Sequence, residues 1–122
     1  MAEVGTIAMR LKTALWVAAY LRRCQVEGCF AVVRRHGAED AGAVFVRISR
    51  LDGTSDLFGP APQSALDGSP GADRTFTASF PQQPAADDAV EAKLAREMKF
   101  DSDLWIVEVE DPAGRNFLDI VR

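Results

Sequence analysis

The chain has 122 residues and a formal net charge of -4; 48% of its residues are hydrophobic and 26% are charged. This length and balance fit one globular domain with a single core and argue against a disordered chain. The longest mainly apolar run near the start, residues 14–21, is too short to span a bilayer, and Arg22 and Arg23 follow it directly. Neither a membrane span nor a secretory signal is predicted, so the expected location is the cytoplasm.

The charge is divided unevenly along the chain. Residues 1–61 carry eight Lys or Arg against six Asp or Glu, a net charge of +2, whereas residues 62–122 carry six against twelve, a net charge of -6. The two halves should therefore attract each other. Packing of both halves within one domain is favoured over head-to-tail association of separate chains.

The first part of the chain predicts an extension and then a helix. Residues 1–8 show no periodicity and are expected to form a flexible extension, with the domain core at about 10–118. Thr13 is a candidate N-cap for a helix that runs to Glu27 and stops at Gly28. The apolar stripe predicted for this helix consists of Ala14, Leu15, Ala18, Leu21 and Cys24. Its neighbouring flank carries Trp16, Tyr20 and Arg23.

Three strands should follow that helix. Residues 29–36, 44–49 and 54–58 alternate as strands do, and Asp52-Gly53 is a hairpin signal between the second and third. The first two are expected to form an antiparallel pair. In the second strand, one face should pack under both helices and the other should stay open. The packed face consists of Val44, Val46 and Ile48, and the open face of Phe45, Arg47 and Ser49.

The second half is predicted to begin with a loop and an edge strand and to contain the second helix. Residues 59–73 are predicted to form an exposed loop and residues 74–80 an edge strand. Asp87 or Asp88 should cap a second helix that ends near Lys99. The stripe of that helix consists of Val90, Leu94 and Met98.

A strong strand is predicted at residues 104–110, followed by a turn at 111–114 and a short strand at 115–118. In the strong strand Trp105, Val107 and Val109 should share one face. The fold class predicted overall is α+β: one domain, residues 1–122, with a mainly antiparallel sheet of four to six strands and two helices. The expected order is α-β-β-β-β-α-β-β.

Short pieces along the chain resemble the domain of unknown function 1491 family, a set of small bacterial proteins. The most specific piece is FDSDLWIVEVED at residues 100–111, where the family pattern has proline in place of Ser102. The resemblance covers about residues 9–118 and implies a single-domain protein, without an established activity to carry over. The other pieces are Arg10-Leu11-Lys12, Trp16-Val17, Arg22-Arg23, Asp40-Ala41-Gly42-Ala43-Val44, Asp52-Gly53 and Ala61-Pro62-Gln63-Ser64.

Metal and cofactor sites are not predicted. Cys24, Cys29 and His36 lack the paired spacing of a zinc site, and the two cysteines are expected to be buried thiols. The carboxylates at the end of the chain are expected to lie on a solvated strand face rather than to bind a cation, because they lack the spacing of a calcium loop. These carboxylates are Asp101, Asp103, Glu108, Glu110 and Asp111.

The sequence offers two functional hypotheses other than a protein that binds a protein partner. His36, oriented by Asp40, could act as a base in a hydrolase, but no nucleophile lies within reach on the same strand. Phe45 and Arg47 on an open sheet face could form a platform for RNA, although a pI near 4.9 disfavours attraction to a polyanion. An enzyme is therefore not favoured, and nucleic-acid binding is the second choice.

The leading hypothesis is a small cytoplasmic binding or adaptor protein that acts through a protein partner or as a homodimer. This hypothesis depends on the number of aromatic side chains, which is larger than one core needs. The candidate interaction surface consists of Trp16, Tyr20, Arg23, Phe45, Arg47 and Trp105.

Overall fold

A computed structural model describes residues 12–62 and 74–121. The predicted extension at 1–8 and residues 63–73 of the predicted loop lie outside the described residues, whereas residues 59–60 of that loop belong to a strand. Within them the chain forms an α+β domain of two helices and six strands, which confirms the predicted fold class. The helices are α1 (Thr13–Val26) and α2 (Asp87–Phe100). The strands are β1 (Phe30–Arg35), β2 (Val44–Ser49), β3 (Thr54–Pro60), β4 (Phe76–Ala78), β5 (Ala85–Ala86) and β6 (Trp105–Glu110).

The sheet has the order β1-β6-β2-β3-β4, and β5 also pairs with β3. The hairpin between β2 and β3 is confirmed, with Gly53 at a φ of 91°. The predicted pairing of the first two strands is wrong, because β6 lies between them, antiparallel to β1 and parallel to β2. The apolar strands β2 and β6 occupy the centre, where helices cover them, whereas β1 ends in two arginines and takes the edge.

The two helices cover opposite faces of the sheet. Val44, Val46 and Ile48 of β2 share a core with residues of α1, while Phe45 shares a second core with Val90 and Leu94 of α2. The prediction that both helices cover one face is therefore wrong. β5 pairs with β3 directly before α2, and the Asp87 N–H donates to the Gly53 carbonyl at 2.9 Å. This connection starts α2 on the Phe45 side.

Helix α2 matches its predicted apolar stripe. Val90 and Leu94 are fully buried, and Met98 packs against the same core. The N-cap position is Ala86, so Asp87 and Asp88 lie in the first helical turn rather than at the cap. Carboxylates there still interact favourably with the positive end of the helix dipole.

Helix α1 is rotated relative to its prediction. Its buried residues are Thr13, Val17, Tyr20 and Cys24, whereas Leu15 is 58% exposed. Thr13 is the first helical residue and not the cap; its hydroxyl donates to the Gly42 carbonyl at 3.1 Å. That buried hydrogen bond, together with burial of the Tyr20 ring, sets which side of the helix faces the sheet. The predicted stop at Gly28 is confirmed by its φ of 87°.

The segment after β6, residues 111–121, reaches β4, at the end of the sheet opposite β1. Residues 115–118 form no strand, contrary to the prediction, and a single parallel bridge joins Phe76 to Ile120. The Phe76 N–H donates to the Asp119 carbonyl at 2.9 Å, and the Val121 N–H donates to the Phe76 carbonyl at 2.7 Å. The C-terminal segment thus covers part of the β4 edge. Neither helix has the length and apolar character to cross a membrane, as far as the described residues go.

Candidate interaction surface

Strand β1 forms one end of the sheet and carries exposed apolar side chains. Phe30 is 60% exposed and Val32 is 38% exposed. Their partners in the register are Glu110 and Glu108, so both side chains lie on the sheet face that α2 covers. Because α2 packs over β3 and β5, it leaves this end of the face open. Phe30 and Val32, with the outer backbone of Ala31 and Val33, are called the β1 edge surface below.

The backbone direction of β1 follows from its neighbour β6. The Trp105 N–H donates to the Ala43 carbonyl at 2.7 Å, and the Asp111 N–H donates to the Ser49 carbonyl at 2.9 Å. Odd-numbered residues of β6 therefore direct their backbone groups to β2, and even-numbered ones direct theirs to β1. In β1, Phe30 and Val32 face those even-numbered residues.

The N–H and C=O groups of Ala31 and Val33 consequently point away from the sheet. No described residue pairs with this side of β1. An edge of this kind is a template for another strand, because each unpaired N–H and C=O favours a hydrogen-bonding partner. The pairing with β6 is interrupted by an irregularity between Val33 and Arg35, which bends the far end of the edge.

Charge changes sign along the β1 edge surface. Glu110 lies directly opposite Phe30 at one end, and Arg34 and Arg35 lie at the other. Arg34 donates two hydrogen bonds to Glu91, at 2.6 Å and 2.7 Å, and a third to Glu108 at 3.3 Å. The hydrogen bonds to Glu91 raise the pKa of Arg34 above its usual range. Arg34 therefore stays protonated, and its charge is paired with these two carboxylates.

A polar network lies between the sheet and α2. Arg47, 8% exposed, contacts Asp87 at 3.0 Å, Glu91 at 2.5 Å and Glu108 at 3.4 Å. Ser55 accepts a hydrogen bond from Arg47 Nε at 3.0 Å and donates one to Asp87 at 2.7 Å. We call this set, with Arg34, the Arg47 network. The hydrogen bond from Ser55 is the main cause that lowers the pKa of Asp87, and the contact with Arg47 lowers it further.

The Arg47 network also answers the question raised by the uneven charge. Both arginines come from the positively charged half of the chain, and the three carboxylates come from the negatively charged half. The opposite charges therefore meet inside the domain, as predicted. Sequence analysis did not identify this network, because Asp87 and Glu91 approach Arg47 only through the placement of α2.

The six residues predicted as an interaction surface do not form one exposed patch. Phe45 and Arg47 lie beneath α2 at 8% exposure each, so the sheet face expected to carry an RNA platform is covered. Trp105 is 2% exposed, in the core on the α1 side. Only the helix flank formed by Trp16, Tyr20 and Arg23 keeps an exposed part.

That flank is contacted by the C-terminal segment of the same chain. The Trp16 and Tyr20 rings stack with centroids 5.1 Å apart, and the Tyr20 hydroxyl donates to the Asn116 carbonyl at 2.7 Å. The Arg23 guanidinium lies 5.0 Å from the centre of the Phe117 ring. The apparent excess of aromatic residues is thus used, in large part, to hold residues 116–121 against α1.

The two residues predicted for base catalysis each pair with a different residue. His36 Nε2 lies 3.8 Å from Glu39, whereas Asp40 pairs with Lys12 at 3.7 Å. The His36 ring packs on Trp105 with centroids 4.1 Å apart, and the Trp105 Nε1–H donates to the Ala38 carbonyl at 2.7 Å. His36 therefore packs against the side chain that anchors the loop between β1 and β2.

Cys24 and Cys29 are free and buried, as predicted. Burial raises the pKa of the Cys24 thiol, and Arg115 donates to Cys29 Sγ at 3.5 Å. Among the described residues, no group of three or more His, Cys, Asp or Glu is placed to hold a metal ion. Of the carboxylates at the end of the chain, Glu108 belongs to the Arg47 network and Asp111 pairs with Arg115 at 2.9 Å.

The β1 edge surface was also absent from the sequence prediction. The alternation of residues 30–34 placed Phe30 and Val32 on one face, but alternation does not reveal whether a strand is central or at an edge. A strand ending in two adjacent arginines is a weak signal of an edge position.

The fold and this surface define a class: a single-domain α+β protein with a mixed sheet covered on both faces and one strand edge that no described residue pairs with. Comparison with known proteins then assigns the family. The sequence profile of the family described as "Protein of unknown function (DUF1491)" matches residues 11–119. The chain belongs to this family.

Solved structures agree with this assignment. The chain is 43% identical to a protein from A. tumefaciens with a solution structure (TM-score 0.78, 93% of this chain and 96% of that one). It is 35% identical to a DUF1491 family protein from Caulobacter crescentus CB15 with a crystal structure (TM-score 0.74, 93% and 100%). An NMR structure of a DUF1491 family protein from the same organism gives 36% identity and a TM-score of 0.76, over 93% and 99%. No curated protein matches the chain.

Proposed function

We propose that this protein is a small binding or adaptor protein that acts through a protein partner, and that the partner docks on the β1 edge surface. One observation carries the proposal: exposed Phe30 and Val32 lie beside the outward backbone groups of Ala31 and Val33. Exposed apolar side chains along an unpaired strand are the combination by which a sheet edge recognises an extended peptide.

The partner's segment has a defined chemistry. It is extended, so that its backbone bonds to Ala31 and Val33, and it places apolar side chains beside Val32. Its charge runs opposite to that of β1, with a basic residue near Glu110 and apolar or acidic residues toward Arg34 and Arg35. A segment of the wrong charge order would place like charges together.

The rest of the molecule supports β1 as a rigid template. The strand is paired with β6 from Phe30 to Arg35, and Arg34 is fixed by Glu91 and Glu108. A preformed strand loses little conformational entropy when a partner binds. The proposal includes a cytoplasmic location, in which the two buried thiols stay reduced.

A photo-crosslinking residue in place of Phe30 tests the proposal in living cells. The matched control carries the same residue in place of Phe100, which is also a phenylalanine, is 88% exposed and lies at the end of α2. We expect a discrete protein crosslink from position 30 and none from position 100.

A second measurement locates the contact on the backbone. A synthetic peptide with the crosslinked sequence should slow hydrogen exchange of the Ala31 and Val33 amides in the unmodified protein. Equal crosslinking from both positions, or an identified peptide that leaves those two amides unprotected, would contradict docking at this edge.

A further inference from the structure

We infer that the partner at the β1 edge surface is a second copy of this chain. Two β1 strands pair antiparallel about a two-fold axis that passes beside Val32, perpendicular to the sheet. The two sheets then continue into one another across the dimer. This inference rests on the proposed function, whose partner it names.

The backbone pattern of β1 is complementary to itself in this register. With Val32 facing Val32 across the axis, Ala31 of one copy faces Val33 of the other. Both residues direct their N–H and C=O groups outward, so each Ala31 exchanges backbone hydrogen bonds with Val33 of the second copy. If the register shifted by one residue, the outward backbone groups of one copy would face Phe30 or Val32 of the other copy. The backbone groups of Phe30 and Val32 bond to β6, so the hydrogen bonds between the copies would be lost.

The exposed side chains also match. Val32 meets Val32 at a non-hydrogen-bonded position, where facing side chains are closest. Phe30 lies opposite the Arg34 end of the second copy, where the irregularity ends the regular pairing. The pairing removes from water the two apolar side chains of β1 that the monomer leaves exposed.

Charge favours a second copy in the antiparallel direction. The Phe30 end of β1 lies beside Glu110, and the other end carries Arg35 together with Arg34, which Glu91 and Glu108 already pair. Antiparallel pairing brings each basic end to the acidic end of the other molecule, whereas parallel pairing would place arginines against arginines. The charges along β1 therefore follow the order that we propose for the partner's segment.

The same structure limits assembly to two copies. The irregularity between Val33 and Arg35 ends the regular edge, so the contact stays short. At the opposite end of the sheet, the C-terminal segment bonds to Phe76 of β4. An isologous contact at one edge, with the other edge partly covered, closes as a dimer.

Sedimentation velocity over a concentration series tests the inference on the full chain. We expect the mass to rise from monomer to dimer with concentration. Phe30→Lys should weaken association by about tenfold or more. The lysine places a charge at the strand edge, and the apolar contact of the phenylalanine ring is lost. Phe100→Lys, with the same chemical change at an exposed site on α2, should leave the association constant unchanged.

A cysteine at the axis tests the register itself. Val32→Cys should give a disulfide-linked dimer under mild oxidation, because facing residues at a non-hydrogen-bonded position lie within disulfide range. Phe100→Cys should form no disulfide-linked dimer under the same conditions. Circular dichroism of each variant confirms that it is folded.

Two outcomes would overturn the inference: monomer mass at every concentration, or a dimer that Phe30→Lys leaves intact. These outcomes are distinguishable from failure of the proposed function. A monomeric protein that still crosslinks from position 30 to a different protein retains the proposed docking site and loses the second copy. Loss of position-specific crosslinking altogether removes both.

Discussion

Arg47 Nη1 of β2 and Glu91 Oε2 of α2 lie 2.5 Å apart, across the face of the sheet that the sequence predicted to be open. This contact joins the most central part of the sheet to the helix that covers it. Because Arg47 is 8% exposed, its charge is compatible with burial only while the surrounding carboxylates are in place. The Arg47 network therefore determines how α2 is seated.

Removal of Arg47 should destabilise the protein without changing its fold class. Arg47→Met keeps the length of the side chain but leaves Asp87, Glu91 and Glu108 near one another with one cation fewer. We expect the free energy of unfolding to fall by about 2–4 kcal/mol, measured by urea denaturation. The matched change Arg96→Met, at an exposed position on α2, should stay within about 0.5 kcal/mol of the wild type. Equal effects of the two changes would contradict a role for the network.

Stability should fall in acid. Hydrogen bonds from Ser55 to Asp87 and from Arg34 to Glu91 lower the pKa of each carboxyl, and Arg115 does the same for Asp111. Carboxyls with a lower pKa in the folded state contribute stability that is complete above their unfolded pKa, about 4, and is lost as the pH falls through the folded pKa.

Urea denaturation at a series of pH values measures this effect. We expect a nearly constant free energy of unfolding between about pH 7 and pH 5 from these groups and a decline below about pH 4. Glu91→Gln should lower the stability at pH 7 and make the decline shallower. An unchanged slope in this variant would show that Glu91 is not among the linked groups.

The hydroxyl of Tyr20 should hold the C-terminal segment to α1. Tyr20→Phe removes the donor to the Asn116 carbonyl and retains the stack on Trp16. We expect a loss of about 0.5–1.5 kcal/mol and faster hydrogen exchange at the Val121 amide, which bonds to Phe76. Exchange at Val107, in the centre of the sheet, should be affected only through the global loss of stability. Equal acceleration at both amides would exclude a local effect on the segment.

The space around Gly42 should be too small for even a methyl group. A Cβ at this position would overlap the Asp103 carbonyl oxygen and lie 2.9 Å from the Trp105 ring. Gly42→Ala is therefore expected to lower the free energy of unfolding by about 1–3 kcal/mol and to alter the near-ultraviolet circular dichroism of the tryptophans. Ala41→Ser, at the exposed neighbouring position, should have neither effect.

Local patterns predicted most of the elements of this fold. The β2–β3 hairpin followed from alternation around Asp52-Gly53, and the apolar stripe of α2 followed from the spacing of Val90 and Leu94. Each depends on residues close together in the sequence, so periodicity and turn chemistry were sufficient. The stripe of α1 was misplaced because Leu15 and Tyr20 are both apolar enough to face the core, and the long-range contacts of Thr13 and Tyr20 decided between them.

The sequence by itself determined that this chain forms an α+β domain, where most of its strands lie and which side chains alternate along them. Only the tertiary structure decided that β6 lies between β1 and β2, that α2 covers Arg47, and that Phe30 and Val32 stand at an open edge. Strand order and helix placement depend on contacts between residues far apart in the chain, and the same alternating pattern suits a central strand and an edge strand. The part of the molecule proposed to bind a partner was therefore visible only after the strands had been placed in order.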